Sequence, residues 1–598
     1  MNLSAIQHFA YDSYCYQLNN DDLEISIITG KDVNSVFLLS GDPFARGIMG
    51  GNNTWVGTET EITCKKELQN HYRWTVKVSP QFKRLSYCFR IVCGSEQVYL
   101  THDGFETKEQ YEDKKRYHAQ FIYPWMNPAD TCVTPEWAQN TVWYQIFPAR
   151  FCRGKTNYVP EKMLPWPTSC EEPLPVIKPY GEPVYGGNIQ GIIERLDYLK
   201  DLGITGIYTT PLNKSTSQHK YNTDDYTTID PEFGDETVMK EFVAQAHARG
   251  IRVMLDGVFN HSGWFFDKWQ DVWEKREKSE YADWFMVNDF NFEEPDYGYG
   301  KGNSGKGKYF AFAFVDWMPK LNTNNPKVIT YLIDICTMWV KKYDIDGLRL
   351  DVANEISHLF CVELRRAMKA LKSDFYIMGE IWHNSQPWLR GTEYDSVMNY
   401  PLQNGIANFL CNDNFTVKDL EFAVNRCYSM YYRQVNRVLF NQIDSHDTIR
   451  FLNRCDGNKV KTRQALALLF AMTGSVCIYY GTEILMPGGH DPDNRRCMPW
   501  KDIESGKFAA EQDFMKSLIS LRKNHPAMIS PDYDFIYDDS DPYGKKRILN
   551  LLKVSEAGDE KIRIFLNCGD SEWDEMKLIA GREVLLKAEG ILICREIE

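Results

Sequence analysis

Eight short apolar runs, most of them separated by helical patterns, fill the middle of this chain. A helix after each strand carries the chain back to the same edge of the sheet, so successive strands pair in parallel. Eight such repeats predict an α/β fold of the (β/α)8 TIM barrel type. The predicted strands are residues 142–147, 204–209, 253–259, 347–352, 375–381, 396–400, 438–444 and 476–480.

The helical patterns between these runs carry their own boundaries. Ile192, Leu196 and Leu199 share one face of the first helix, and Gly203, the next position on that face, predicts its end. The interval from Val258 to Gly347 is too long for one helix, which predicts a small inserted domain at residues 262–322. Further helices are predicted at residues 235–249, 326–343, 358–371, 417–435, 461–473 and 514–523.

The two ends of the chain show a different periodicity. Residues 1–125 contain short runs in which apolar and polar residues alternate, with Gly, Asn and Asp between them. This pattern predicts an N-terminal antiparallel β-sandwich, and similar runs predict a smaller C-terminal antiparallel β-sandwich at residues 530–598. The barrel is then predicted at residues 136–525, in a chain of 598 residues that is too long for one hydrophobic core.

The composition limits the classes of binding partner and the cellular location that we expect for this protein. The formal net charge is -14 and no Lys/Arg block stands out, so we expect no nucleic-acid partner. No stretch approaches about 18 uninterrupted apolar residues, and no basic-then-apolar leader is recognisable, so we expect neither a membrane partner nor export. The 16 cysteines form no CxxC pair, which favours reduced thiols and a cytoplasmic location.

Charged and aromatic side chains follow four of the predicted strands. In a barrel of this type, the carboxyl ends of the strands build the active site. Paired carboxylates in that place are what glycoside hydrolysis requires. A metal site is the alternative, but a compact His-x-x-x-His or His-x-x-Glu pattern is missing there, and we predict no metal ligands. At or just past the carboxyl ends of the strands, the residues are Asp256 and His261 for the third strand, Arg349, Asp351 and Glu355 for the fourth, Glu380 and Trp382 for the fifth, and His446 and Asp447 for the seventh.

Four of these segments resemble the shared regions of glycoside hydrolase family 13, the α-amylase family. Any one of them alone is a weak signal, but together they are highly specific, and the resemblance covers nearly the whole chain. It implies a retaining hydrolase that cleaves α-glucan linkages. The segments are Asp256-Gly257-Val258-Phe259-Asn260-His261, Gly347-Leu348-Arg349-Leu350-Asp351, Gly379-Glu380 and His446-Asp447.

The resemblance implies a catalytic role for three carboxyl groups. Asp351 resembles the nucleophile, Glu380 the acid/base, and Asp447 the carboxylate that binds substrate hydroxyls and favours distortion of the sugar ring. Arg349 precedes Asp351 by two residues, so both side chains point to the same face of the strand. We expect the positive charge of Arg349 to lower the pKa of Asp351 and to keep it ionised while Glu380 is protonated.

The resemblance also implies a set of substrate-binding residues. Tyr221 resembles a tyrosine that stacks on the sugar at the cleavage site, and His261 and His446 resemble histidines that hydrogen-bond to it. Glu355 and Trp382 are expected on the acceptor side, and Asp491 and Arg495 on the donor side. The substrate-binding prediction therefore comprises Tyr221, His261, Arg349, His446, Glu355, Trp382, Asp491 and Arg495.

Two further motifs narrow the resemblance to one group of the family. Met318-Pro319-Lys320-Leu321-Asn322 resembles the fifth region of the cyclomaltodextrinase, neopullulanase and maltogenic amylase group, and Val352-Ala353-Asn354-Glu355 points the same way. The N-terminal domain resembles carbohydrate-binding module family 34, which often builds a homodimer in that group. The resemblance implies cleavage of α-1,4 bonds in cyclodextrins, pullulan, starch or maltooligosaccharides, and it leaves open α-1,6 cleavage and the extent of transglycosylation.

Three alternatives stay open at this stage. The resemblance implies no required cofactor, and the first alternative is a structural Ca²⁺ ion. Residues 150–157 argue against this ion, because they lack the Asp and Asn ligands often found after the first strand. An exo-acting α-glucosidase or oligo-1,6-glucosidase is the second alternative, and the Met318–Asn322 segment argues against it. A non-catalytic α-glucan-binding protein is the third, and the presence of Asp351, Glu380 and Asp447 argues against that.

Overall fold

The computed structural model describes residues 1–44, 57–113, 119–156, 158–175, 182–296 and 298–597. The chain folds into two compact units. The first comprises Met1–Val133, Leu389–Gly391 and Val417–Asn436, and the second comprises Thr134–Trp388, Thr392–Thr416 and Arg437–Glu598. Parts of the predicted domains lie outside the described residues: 45–56 and 114–118 of the first, 157 and 176–181 of the barrel, 297 of the insertion and 598 of the last. The exact domain boundaries stay predictions.

Two antiparallel sheets around one apolar core form the N-terminal part of the first unit, and the predicted β-sandwich is confirmed. Leu23, Ile25 and Ile27 alternate into this core and are fully buried, as a period of two requires. The first sheet has the strand order Cys15–Gln17, Leu23–Gly30, His71–Val78 and Cys64–Glu67. The second has the order Thr58–Glu61, Ser35–Gly41, Leu85–Cys93, Glu96–Thr101 and Gly104–Glu106, with Phe121–Tyr123 paired to Leu85–Cys93.

Eight parallel strands in the second unit close into the predicted barrel. Neighbouring strands pair in the order β6-β5-β4-β3-β2-β1-β8-β7, and a bridge between Met398 and Phe440 joins β6 to β7. Most of the strands end earlier than predicted, and β4 and β5 end directly before the charged residues Asp351 and Glu380. The strands are β1 (Val142–Ile146), β2 (Gly206–Thr209), β3 (Arg252–Gly257), β4 (Gly347–Leu350), β5 (Tyr376–Gly379), β6 (Ser396–Val397), β7 (Phe440–Asn441) and β8 (Ser475–Tyr479).

The helices begin and end where local signals place them. Asn325 and Ser357 cap two helices by accepting backbone hydrogen bonds, and Gly203 ends another with φ of 100°. No helix among the described residues has the length and apolar character needed to cross a membrane. In the second unit the helices are Pro148–Phe151, Ile189–Glu194, Leu196–Leu202, Glu236–Ala248, Asp267–Lys275, Pro326–Tyr343, His358–Leu371, Tyr400–Cys411, Phe451–Arg454, Lys459–Ala471, Trp500–Glu504, Ala509–Asn524, Pro526–Ile529 and Glu575–Ile579. In the first unit they are Lys108–Glu112, Val417–Ser429 and Arg433–Asn436.

The segment between β3 and the helix Pro326–Tyr343 packs around its own aromatic side chains. Trp269 of the helix Asp267–Lys275 lies with its ring centroid 4.9 Å from Phe285 and 4.9 Å from Tyr309. Isolated β-bridges, including Val287 with Tyr309, connect the remaining chain. This segment therefore has a small core of its own, as the predicted insertion requires.

The C-terminal part forms one antiparallel sheet of five strands. Leu549 and Leu551 are fully buried on one face, while Phe565 and Leu592 on the other pack with residues that include Ile579 at the end of the helix Glu575–Ile579. The predicted antiparallel structure is thus present, but among the described residues helices supply the second layer that a second sheet would supply in a sandwich. The strand order is Tyr533–Phe535, Ile548–Val554, Lys561–Asn567, Ile591–Glu596 and Arg582–Ala588.

The inward-facing positions of the barrel change from apolar to polar along each strand. Trp143, Met254, Tyr376 and Met378 belong to the buried apolar cluster inside the barrel. Because side chains on one face recur every two residues, the next inward positions toward the carboxyl ends are Gln145, Asp256 and Glu380. The apolar layer therefore forms a dry floor beneath a layer of charged groups.

Candidate active site

A buried arginine organises the charged layer. The strand register places Asp256 of β3 directly beside Arg349 of β4, and Nη1 of Arg349 lies 3.0 Å from each carboxylate oxygen of Asp256. The same nitrogen donates to Oδ1 of Asp351 at 2.9 Å. The guanidinium is 0% exposed, so these interactions act in a low-dielectric environment, where they are stronger than at the surface.

Glu380, the first residue after β5, reaches the same guanidinium. Its Oε2 lies 2.9 Å from Nη2 of Arg349, although the N–H direction makes this an ion-pair contact rather than a hydrogen bond. Oε2 also accepts the backbone N–H of Val352 at 3.0 Å, and Oε1 accepts the indole N–H of Trp382 at 3.0 Å. Both carboxylate oxygens of Glu380 are therefore held in place.

The charge of this cluster is not balanced when every carboxyl group is ionised. One guanidinium faces the carboxylates of Asp256, Asp351 and Glu380, which would leave a net charge of about −2 in a buried site. Burial raises the pKa of Asp256 to about 6, against the opposing charge of Arg349. Burial and the excess of negative charge thus favour protonation of this cluster at a higher pH than for exposed carboxyl groups.

Burial also raises the pKa of Asp351 well above its ordinary value, with Arg349 opposing the shift and Glu380 and Asp256 adding to it. The sequence predicted that Arg349 would lower this pKa. Arg349 does act in that direction, but the expected net lowering is wrong, because loss of hydration and two acidic neighbours together outweigh one arginine.

A chain of hydrogen bonds connects the seventh strand to the arginine. The amide nitrogen of Gln145 lies 2.7 Å from Nδ1 of His446, and Nε2 of His446 contacts the hydroxyl of Tyr221 and lies 3.2 Å from Oδ2 of Asp447. The Tyr221 hydroxyl donates to Asp256 at 2.9 Å. Because burial lowers the pKa of His446 well below its ordinary value, the ring is neutral, with its proton on Nε2.

Tyr221 and the two histidines form the polar and aromatic wall of the site. The rings of Tyr221 and His446 stack at 5.2 Å with an interplanar angle of 6°. His261 accepts from Asn260 at Nδ1 and donates from Nε2 to the carbonyl of Tyr221 at 3.1 Å. Burial lowers the pKa of His261 to about 3, so this ring is also neutral.

A cavity of about 460 Å³ opens above these groups. Asp351, Glu380 and Asp447 line it together, as do six of the eight predicted substrate-binding residues. Arg349 and His446 are the other two, and the structure places them behind the lining, fully buried, where they hold carboxyl groups. The lining residues are His219, Tyr221, His261, Phe312, Met318, Asp351, Val352, Asn354, Glu355, Glu380, Trp382, Asp447, Asp491 and Arg495.

The turn after the nucleophile position is strained. Val352 adopts φ of 45° and ψ of 46°, a left-handed conformation that is a genuine outlier for a β-branched residue. In this conformation its N–H points to Glu380. The main chain itself therefore connects the residue next to Asp351 with the carboxylate of Glu380.

One rim of the cavity carries exposed aromatic surface. Trp382 is 48% exposed, and its ring stacks on Tyr400 at 3.7 Å with an interplanar angle of 10°. Phe312 stacks on His261 at 5.1 Å. Glu355 pairs with Lys320 at 2.9 Å on the same side. No sequence pattern indicates Phe312, because it lies in the inserted segment outside any predicted strand.

A second arginine, Arg495, also lines the cavity. Arg495 donates to the carbonyl of His446 at 3.1 Å and to Glu182 at 3.2 Å, and it lies 3.6 Å from Asp491. Burial opposes ionisation of Glu182, but the charges of His219, Arg495 and Arg150 outweigh it and lower the pKa of Glu182. Glu182 could not be identified from the sequence, since it lies in the proline-rich loop predicted at residues 160–183, whose composition does not indicate its path.

The described residues contain no group of three or more His, Cys, Asp and Glu side chains placed to hold a metal ion. Residues 150–157 are the segment of the alternative Ca²⁺ site, and residue 157 lies outside the described residues. The cavity is thus surrounded by acid, imidazole, guanidinium and aromatic groups, and these can transfer protons, form an ester and bind hydroxyl groups.

A parallel barrel whose strand ends bring three carboxyl groups onto one arginine, above a buried apolar layer, has the construction of a glycoside hydrolase. The "Alpha amylase, catalytic domain" model matches residues 145–528, and the "Alpha amylase, N-terminal ig-like domain" model matches residues 1–127. Since the catalytic model covers more than half of the chain, this protein belongs to the α-amylase family of glycoside hydrolases.

Individual relatives match over nearly the full length. A cyclomaltodextrinase of Geobacillus thermopakistaniensis is 40% identical over 95% of this chain and 91% of the relative. An intracellular maltogenic amylase of Bacillus subtilis is 38% identical over 95% of this chain and 92% of the relative. A solved cyclomaltodextrinase structure superposes with a TM-score of 0.85 at 36% identity, over 95% of this chain and 91% of that chain.

Proposed function

We propose that this protein hydrolyses α-1,4 glucosidic bonds, and also α-1,6 bonds, in cyclodextrins, pullulan, starch or maltooligosaccharides, with retention of configuration. One observation carries the proposal: Asp351 and Glu380 line the same cavity and both contact the guanidinium of Arg349. A shared cation favours the short carboxyl separation of retaining enzymes, roughly 5 Å, over the longer separation of inverting ones, roughly 6.5–9.5 Å.

In the first step, Glu380 donates its proton to the glycosidic oxygen as the bond to the anomeric carbon breaks. A carboxylate oxygen of Asp351 forms the new bond to that carbon and gives a glucosyl ester. In the second step, Glu380 takes a proton from water, whose oxygen attacks the anomeric carbon and releases Asp351. The first step therefore needs Glu380 in its protonated form and Asp351 in its ionised form.

Other side chains act on the substrate or on these carboxyl groups. Asp447 faces the cavity with 28% of its side chain exposed and accepts hydrogen bonds from hydroxyl groups of the sugar, while Tyr221 stacks its ring on the sugar. Arg349 orients Asp351 and Glu380, and His446 orients Asp447 and Tyr221. Glu355 and Trp382 contact acceptor sugars, and Asp491 and Arg495 contact donor sugars.

The test is product analysis on β-cyclodextrin, pullulan and soluble starch, with the anomeric form of the first product followed by NMR. Ring opening of cyclodextrin with an initial α-anomer supports the proposal. Release of glucose alone from chain ends would favour an exo-acting α-glucosidase. Binding of maltooligosaccharide without turnover would favour a non-catalytic glucan-binding protein.

We also propose that the reaction requires no cofactor, because side chains of this chain supply every group in the two steps. Dialysis against EDTA should then leave kcat unchanged, and a loss that Ca²⁺ restores would overturn this. A cytoplasmic location is supported by the name of the intracellular relative. The N-terminal domain, by its family resemblance, supports a homodimer, which sedimentation or light scattering would test.

A further inference from the structure

Two thiols face each other outside the carboxylate site. The Sγ atoms of Cys411 and Cys455 lie 2.9 Å apart, although 44 positions separate the two residues in the chain. Cys411 is the last residue of the helix Tyr400–Cys411, and Cys455 caps the helix Phe451–Arg454. Two rigid elements therefore hold the sulfur atoms close to bonding distance.

The surroundings make Cys411 the more reactive thiol. Cys411 is partly exposed and Cys455 is buried. A hydrogen bond with Cys455 and the positive charges of Arg454 and Lys461 lower the pKa of Cys411, which increases the fraction present as the nucleophilic thiolate. The partly exposed thiol is thus the one that an external reagent would meet first.

We propose that Cys411 and Cys455 form a reversible disulfide through exchange with a small disulfide such as oxidised glutathione. The Cys411 thiolate attacks one sulfur of the reagent and releases one glutathione thiolate. Cys455 then loses its proton to solvent, attacks the Cys411 sulfur of the mixed disulfide and releases the second thiolate. Two protein thiols are oxidised, and one reagent disulfide is reduced to two thiols.

The native full-length protein is incubated with oxidised glutathione or with dithiothreitol, alkylated, and digested without reduction. Mass spectrometry should find Cys411 and Cys455 peptides joined only after oxidation, and the intact protein lighter by two hydrogen atoms. Cys455→Ser should stop at the glutathione adduct on Cys411, while Cys93→Ser, a change at another partly exposed thiol, should still form the bond. An adduct that persists on Cys411 in the wild type, or no modification at all, would overturn the proposal.

A second observation concerns Lys220, which lies between two residues of the cavity wall. His219 and Tyr221 both line the cavity, and their rings lie 5.8 Å apart at 27°. Lys220 itself has φ of 63°, a left-handed conformation that non-glycine residues adopt only when the surroundings enforce it. The chain thus turns sharply here and sends the lysine side chain away from the cavity.

A buried ion-pair network holds the lysine in this conformation. Its side chain is 1% exposed, and Nζ lies 2.8 Å from Asp230 and 3.1 Å from Glu232. The ammonium also donates to the carbonyl of Ser215 at 3.2 Å, and Gln218 donates to Glu232 at 2.8 Å. Removing a partner from such a buried network is costly, because a charge stays uncompensated.

The geometry points to Lys220 as a positioning residue for Tyr221. The inference rests on the proposed hydrolysis, since it assigns the lysine a role through the tyrosine that bonds to Asp256 and His446. Without the ammonium anchor, the turn relaxes and the Tyr221 ring leaves its stack on His446. Catalysis then declines even though Lys220 touches no substrate.

The test is a double-mutant cycle of Lys220→Met and Tyr221→Phe on maltotetraose, with Lys214→Met, an exposed lysine nearby, as control. Lys220→Met should lower kcat/KM by about 10-fold or more, and the double variant should be no more than about twofold worse than Tyr221→Phe, because neighbours that act as a unit are not additive. The inference is overturned if the double variant loses kcat/KM by the product of the two single losses, or if Lys220→Met has wild-type activity.

Glu232→Gln provides a milder variant if Lys220→Met does not fold. It keeps a hydrogen-bonding group beside the ammonium, and it should lower kcat/KM less than Lys220→Met and in the same non-additive way with Tyr221→Phe. Should the wild type lack hydrolysis altogether, the proposed function fails by itself. Calorimetric binding of maltotetraose to the same variants then judges Lys220 separately, because displacement of Tyr221 weakens binding as well.

Discussion

Two arginines serve the cavity, Arg349 behind its lining and Arg495 in its lining, and they differ in burial and in the acids that they contact. Arg349 is fully buried and contacts the carboxylates of Asp256, Asp351 and Glu380, whose side chains are at most 9% exposed. Arg495 contacts Glu182 and Asp491, whose side chains are 18% and 62% exposed. The first centre is therefore dry and closely packed, whereas the second is open to water.

This difference separates reaction from recognition. Groups that react must hold one geometry and act in a low-dielectric environment, because preorganised charges then need no rearrangement in the transition state. Groups that bind sugars of several lengths gain from exposure, since water screens them and lets them adapt. If this distinction holds, equal substitutions at the two centres will have unequal effects.

The largest contrast is expected between Asp351→Asn and Asp491→Asn. Removing the nucleophile should lower kcat on maltotetraose by roughly 10⁴-fold or more, because no other side chain can form the ester. Asp491→Asn, the same chemical change at the open centre, should change kcat/KM by less than about 10-fold, as for a weak exposed pair. Steady-state kinetics on both variants decide this, and substantial turnover by Asp351→Asn would reject the nucleophile assignment.

Replacement of each arginine by methionine should give the next largest difference between the two centres. Arg349→Met leaves three buried carboxyl groups without their cation, so we expect a loss of about 3–5 kcal/mol in the free energy of unfolding and almost no turnover. Arg495→Met should have a free energy of unfolding close to that of the wild type, and its main effect should be a higher KM. Chemical denaturation and kinetics measure both effects, and equal destabilisation by the two changes would contradict the contrast.

The pH dependence should follow Asp351. Burial raises its pKa above the ordinary 3.8, so the ionised form is lost at a higher pH than in a free aspartate. The acid limb of kcat/KM should therefore lie above pH 3.8. A limb at or below that pH would show that Arg349 dominates in the working enzyme.

The same shift has a consequence for stability. A carboxyl group with a raised pKa in the folded state stabilises the fold below its unfolded pKa, and this contribution is lost as the pH rises through the folded pKa. Asp351→Asn should therefore be more stable than the wild type at pH 7, and the gain should shrink toward pH 4. Thermal midpoints at the two pH values measure this.

The smallest effect is expected from Glu182→Gln. Glutamine keeps a hydrogen-bond acceptor near Arg495 but removes the charge, so we expect a rise in KM of roughly threefold with kcat unchanged. Glu172→Gln, an exposed carboxylate in the same proline-rich loop, is the matched control. A fall in kcat of Glu182→Gln would place this residue with the reacting centre instead.

The parts of the site that were predicted follow from short-range geometry. Arg349 and Asp351 share a face because they are two residues apart on a strand, and Glu380 follows a strand that the apolar pattern identifies. Two helices, Pro326–Tyr343 and His358–Leu371, begin and end as predicted, because capping residues and an apolar face determine their limits.

The parts that could not be predicted depend on long-range packing. The predicted helix 417–435 is broken between Ser429 and Arg433 although no Gly or Pro lies there. Phe312 reaches the cavity, and Glu182 reaches Arg495 at its rim, from segments whose paths only the folded barrel determines. Burial reversed the expected pKa of Asp351, because the sequence reveals the charged neighbours but not how much water they exclude.

The left-handed turn at Val352 limits how this chemistry could be transferred to another scaffold. The backbone there costs about 1–3 kcal/mol, and its N–H reaches Glu380 from the residue adjacent to Asp351. A designer who grafts only the acidic side chains onto a new barrel would lose this main-chain link, and the two groups would drift apart. A transplant would have to carry the turn itself and a host stable enough to tolerate it.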